Sequence, residues 1–206
     1  EQKSNNYLAS VVLDGDEAGF AYVDITTSEF ATTQLPLSQL AVEMGRLTPA
    51  EVLTPEMERP FAVDSGTHVT TLAPDSFHRE WSRETLLRHF GVTSLEPFGC
   101  EHLPLAARAA GAIVDYLGTN QRDSLGQIAS LRTYSTATFM TLDPQTRRNL
   151  ELFQGGRWGE AGLSLLSVLD RTKTSMGGRL LRGWLGQPLL DVDALVERQE
   201  AVSWCH

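Results

Sequence analysis

Lysine is nearly missing from this chain. Of its 206 residues only Lys3 and Lys173 are lysines. A phosphate-binding loop needs a Gly-Lys-Ser/Thr turn, so that one ammonium and several backbone N–H groups cradle the phosphates. Gln2 precedes one lysine and Thr172 the other, and Gly155-Gly156-Arg157-Trp158-Gly159 offers glycines without a lysine. No nucleotide cradle is encoded. Cysteine is equally scarce: Cys100 and Cys205 stand alone, with no C-x-x-C pairing, which excludes a disulfide framework and suits a reducing cytosol. The five histidines, His68, His78, His89, His102 and His206, show neither H-x-x-x-H nor H-E-x-x-H spacing, so no zinc site is expected. No G-x-S-x-G elbow is present for serine catalysis. No apolar run approaches the ~20 residues of a membrane helix, and no signal-peptide pattern opens the chain. Because it begins at Glu1 rather than Met, the chain reads as an excised piece.

What is abundant is acid. The net charge is −9, and it is unevenly spread. Residues 1–130 carry eight Lys/Arg against eighteen Asp/Glu, a net of −10, whereas residues 131–206 carry nine against eight, a net of +1. The first part is expected to repel nucleic acid over most of its surface. The second can at most graze a phosphate backbone.

The pattern divides in the same way. Tyr7–Leu13, Gly19–Ile25 and Phe30–Leu35 are β-branched or aromatic runs, separated by tight turns at Asp14-Gly15-Asp16 and Thr27-Ser28. The first run is apolar on both faces, as in a covered central strand. A helix over Ser38–Leu47 and a short strand over Glu51–Leu53 follow, then a Pro-, Gly- and Thr-rich stretch over 54–78 with one strand at His68–Leu72. Helices are expected over Glu80–Phe90, ended by Gly91, and from Pro104, with Leu105, Ala109, Ala112, Ile113 and Tyr116 as its buried stripe. Polar Thr119–Gln127 marks the domain boundary, and an exposed junction is expected over Thr119–Leu131. The remainder reads as helical: Asp143–Phe153, Ser164–Leu169, Met176–Leu185 and Val192–Trp204, with a flexible Gly155–Gly162 loop. The fold class is therefore α/β with a mixed sheet, followed by an all-α segment.

The most specific stretch is Asp170-Arg171-Thr172-Lys173-Thr174-Ser175-Met176-Gly177-Gly178-Arg179-Leu180-Leu181-Arg182-Gly183-Trp184-Leu185-Gly186-Gln187-Pro188-Leu189. Thr174 or Ser175 can cap the orphan N–H groups of a helix whose apolar face is Met176, Leu180, Leu181, Trp184 and Leu185. Arg179 and Arg182 point the other way. Gly186, as a left-handed cap, and Pro188 supply the stop. The order D-x-T-x-T-x-M-G-x-R-x-L-x-x-W-L-x-x-P-L resembles the core domain of MutS mismatch-repair proteins. Asn5–Ala9 and Phe20–Phe30 resemble the opening hairpins of the MutS connector domain. Phe90–Val92 and Ala110–Arg122 resemble its later helices, and Leu142–Leu152 resembles the first core helix. Ser28 stands where that family usually has Gly.

The resemblance implies a ribonuclease H-like connector over residues 1–123 and the start of the helical core over 131–206. It further implies a whole protein that is an ATP- and Mg²⁺-dependent homodimeric clamp on mismatched double-stranded DNA, cytoplasmic and nucleoid-associated, with MutL as partner and no membrane. The family wedges a Phe from a Phe-x-Glu motif into the base stack. None of the eight phenylalanines here has Glu two residues on, so the mismatch reader, like the ATPase, is expected outside this segment. The fragment itself is expected to hold no cofactor and to catalyse nothing.

Two surfaces are singled out. Arg171, Lys173, Arg179 and Arg182 are candidates for weak phosphate contact, though acidic Asp170 and Asp191 favour an internally paired face. Trp81, Glu84, Thr85 and Arg88 define an exposed face for a partner, with Glu84 and Arg88 at the favourable i, i+4 spacing. The alternatives are a ribonuclease H-like metal-dependent nuclease, drawing on Asp14, Asp16, Glu17, Asp24, Glu29 and Asp115, and a free-standing helical adaptor.

Overall fold

The structure, a computed structural model, describes residues 6–56, 66–140, 142–156 and 163–205. It divides into two compact units, Asn5–Tyr134 and Ser135–His206.

The first unit is built on an antiparallel meander. Strand β1 (Tyr7–Asp14) turns through Gly15 and Asp16 into β2 (Glu17–Asp24), with Gly15 at φ +58°, a conformation glycine adopts without steric cost. The turn into β3 (Glu29–Pro36) is held by Asp24. Its Oδ1 accepts from Thr26 N (2.9 Å) and Thr26 Oγ1 (2.7 Å), and its carbonyl accepts from Ser28 N (2.8 Å). Ser28 lies at φ +60°, so the position where the resembled family has Gly does require the left-handed region, and serine costs about 1 kcal/mol there.

Helix α1 (Leu37–Leu47) then crosses to β4 (Glu51–Pro55), which lies parallel to β1, and β5 (His68–Leu72) lies parallel to β4. Helix α2 (Arg79–Phe90) ends at Gly91 with φ +66°, and α3 (Pro104–Asn120) leads through α4 (Arg122–Leu125) to β6 (Arg132–Thr133). The six-stranded order is β5-β4-β1-β2-β3-β6, mixed in sense.

Alternation along the strands fills both sides. Leu8, Val12, Ala21 and Val23 face α2 and α3, whereas Ala9, Val11, Phe20 and Tyr22 face Leu40, Met44 and Leu47 of α1. β1 is the covered central strand its two-sided apolar pattern suggests. Small residues set the approach of the helices. A Cβ on Gly19 would lie 2.0 Å from Leu105 O, and one on Gly111 would lie 2.5 Å from Ser82 Cβ.

From the end of α3 onward residues 119–121, 126, 127, 129 and 130 are exposed, and the compact unit runs on to Tyr134. Ile128 and Leu131 are buried in the α2–α3 core, and Tyr134 is buried on the α1 side. The apolar side chains beyond polar Thr119–Gln127 outweigh its signal, so the first unit keeps them to Tyr134.

In the second unit the helices are α5 (Pro144–Asn149), α6 (Leu165–Leu169), α7 (Ser175–Gly186) and α8 (Val192–Cys205). The helix expected over Asp143–Phe153 is shorter, because Glu151 turns to φ +48° and its N–H bonds Arg148 O at 3.0 Å. Asp143 caps α5, its Oδ1 accepting from Gln145 N (2.8 Å) and Thr146 N (2.9 Å). Phe139 and Leu189 form an isolated antiparallel bridge. Most of the loop expected over Gly155–Gly162 lies outside the described residues. Among the described residues no helix is long and apolar enough to cross a membrane.

Candidate nucleic-acid and partner surfaces

The stretch before α7 is a compact local device. Asp170 Oδ1 accepts from Thr172 N (3.0 Å) and Thr172 Oγ1 (2.6 Å), an Asx turn. Thr174 Oγ1 then accepts from Gly177 N (3.0 Å), which makes Thr174 the N-cap. A Cβ on Gly177 would stand 3.2 Å from both Thr172 Cβ and Thr174 Oγ1. The D-x-T-x-T-x-x-G spacing is thus a requirement of one cap, with glycine leaving room for the two threonines.

Past the cap the expected faces change. Met176 is 77% exposed and Leu180 55%, whereas Gly178 and Gly186 are buried. Arg182 does not point into solvent. Its guanidinium lies over the Phe153 ring, 4.6 Å from the centroid, in a cation–π contact that also covers apolar surface. Gly186 is the last helical residue and not a left-handed cap; Phe153 sits 3.5 Å from where its Cβ would be. The terminus is finished by Arg147, whose Nη2 donates to Gly186 O (3.0 Å) while its Nε donates to Leu142 O (2.9 Å). A cation on the last carbonyls complements the helix dipole. Of the four basic candidates, Arg171 and Lys173 are exposed in the loop, and Arg179 and Arg182 are half-buried on α7.

Sequence reasoning missed Arg147 and Arg198, the latter 4.2 Å from the Trp184 ring centroid. Both act on partners dozens of residues or a full helix away, so no local pattern marks them.

On α2, Trp81 is 44% exposed, and Glu84 and Arg88 are exposed beside it. The Arg88 guanidinium lies 6.0 Å from the Trp81 ring centroid, and among the described residues no ion pair joins it to Glu84. Thr85 is buried with Ser82 and Leu86 on the side that packs on α3, and so belongs to the core rather than to this surface. The glycine at 111 draws α3 in so closely that the α2 side chains nearest it are covered.

The carboxylates weighed for a metal site are scattered. Asp14, Asp16 and Glu17 are exposed at the first hairpin tip, and Asp24 is buried at the far end of β2. Seven steps along β2 separate Glu17 from Asp24, about 23 Å at the usual strand rise. Among the described residues no group of three His, Cys, Asp or Glu is placed to hold a metal ion.

Family comparison completes the picture. Residues 6–129 match the MutS domain II family model, and residues 145–206 match that of MutS domain III. The chain belongs to the MutS family. The DNA mismatch repair protein MutS of Thermosynechococcus vestitus is 45% identical over 219 residues, covering 98% of this chain and 25% of its own length. That of Dehalococcoides mccartyi is 42% identical over 205 residues, covering 99% and 24%, and that of Synechococcus elongatus is 45% identical over 220 residues, covering 98% and 25%. The chain thus spans about a quarter of the length of these MutS relatives, over the stretch that matches MutS domains II and III.

Proposed function

We propose that this segment is the positioning part of a MutS-type mismatch-repair ATPase. It joins the DNA-reading and ATP-hydrolysing domains, offers a surface to MutL, and catalyses nothing itself. The observation that carries the reading is the pair of family matches that together run through almost the whole chain. The first domain is ribonuclease H-like in this reading. The support is its strand order, an antiparallel β3-β2-β1 half continued by parallel β4 and β5, with helices on both faces. The whole protein is a homodimer on mismatched duplex that uses ATP and Mg²⁺ through residues outside this chain, and works in the cytoplasm at the nucleoid. MutL meets the first domain at Trp81, Glu84 and Arg88, of which the tryptophan and the arginine are types favoured at binding hot spots.

Mismatch discrimination tests this division of labour. Arg171, Lys173, Arg179 and Arg182 are the candidates for phosphate contact, and affinity scales with the phosphates neutralised. The chain should bind duplex no tighter than roughly the non-specific 10⁻⁴–10⁻⁶ M range, with no preference for a mismatch. A titration of matched against mismatched duplex at about 0.15 M salt reads this out. Submicromolar binding, or a clear mismatch preference, would assign the segment a different job.

A further inference from the structure

We draw no further inference here: the strongest candidate, the surface patch that Met176 and Leu180 of α7 and Val192, Val196, Val202 and Trp204 of α8 leave exposed in the second unit, carries nothing because nothing in the structure shows what covers it.

Discussion

Gly111 sits where α3 crosses α2, and Gly118 sits two turns further along the same helix. An alanine at each position is a controlled comparison of backbone propensity against packing. In a helix interior Gly→Ala is worth about 1 kcal/mol in favour of the alanine. At Gly118 the new methyl would meet only Leu125 Cδ2, at 3.5 Å, an ordinary contact, so Gly118→Ala should stabilise by up to about 1 kcal/mol. At Gly111 it would lie 2.5 Å from Ser82 Cβ, 2.6 Å from Ser82 Cα and 2.8 Å from Ser82 O. Backbone cannot rotate out of the way, so α2 must retreat by about 1 Å to reach an ordinary carbon–carbon separation. That retreat opens the layer holding Leu86 and Phe77, which are buried. Overpacking of this kind costs about 1–3 kcal/mol, and the upper end applies because a helix rather than a side chain has to move. After subtracting the propensity gain, Gly111→Ala should destabilise by about 1–2 kcal/mol. Urea denaturation followed by circular dichroism gives the sign, and hydrogen exchange in α2 and α3 locates the effect. The reasoning fails if Gly111→Ala is as stable as the parent, or if both alanines shift stability in the same direction.

Other outcomes follow from single groups. Burial pushes the Tyr22 phenol up to about 12 and the Tyr134 phenol well above its ordinary value, so both stay neutral in the fold. Their stabilisation is complete below the unfolded value of about 10 and is lost as pH rises from there toward 12 and beyond. The urea midpoint should fall across that window and fall less steeply in Tyr22→Phe; an unchanged slope would refute the assignment. Asp143 is held below the usual carboxylate range, first by the Thr146 N–H and then by its hydroxyl. Its cap on α5 is therefore present at neutral pH and lost as pH falls through the folded value. Asp143→Ala should lower the urea midpoint of the second unit at neutral pH, and a variant indistinguishable from the parent there would remove that role. If MutL docks on α2, Trp81→Ala and Arg88→Glu should each weaken binding at least about tenfold while leaving the urea midpoint within error, and unaltered affinity would place the surface elsewhere.

Much of the sheet was legible because its signals are local. A Gly-containing two-residue turn between apolar runs declares a hairpin, and an apolar run on both faces declares a central strand; β1, β2 and β3 lie within a few residues of the positions such rules give. Gly91 after a periodic run ended α2 for the same reason. What the pattern could not yield was β6. Arg132 and Thr133 have no strand signature of their own, and they extend only because β3 presents an open edge and Leu131 and Tyr134 are buried on either side. That is tertiary context overriding a polar, turn-like stretch.

The signature helix shows the same limit at the site. Its start follows from residues within seven positions of one another, Asp170, Thr172, Thr174 and Gly177, so the sequence carries the whole cap. Its end depends on Arg147, thirty-nine positions away, which occupies the carbonyl that a left-handed glycine would otherwise help to satisfy. Its faces depend on Phe153, which turns Arg182 inward and leaves Met176 and Leu180 exposed. Periodicity states which residues share a side of a helix, but only the partner decides which side is covered. An arginine whose stem packs on an aromatic ring is counted as polar by the pattern and treated as partly apolar by the fold. The phosphate surface is accordingly narrower than four basic residues suggest: Arg171 and Lys173 are exposed, while Arg182 is already committed to Phe153. Arg171 and Lys173 offer few phosphate contacts in a chain of net −9, and affinity for duplex scales with their number.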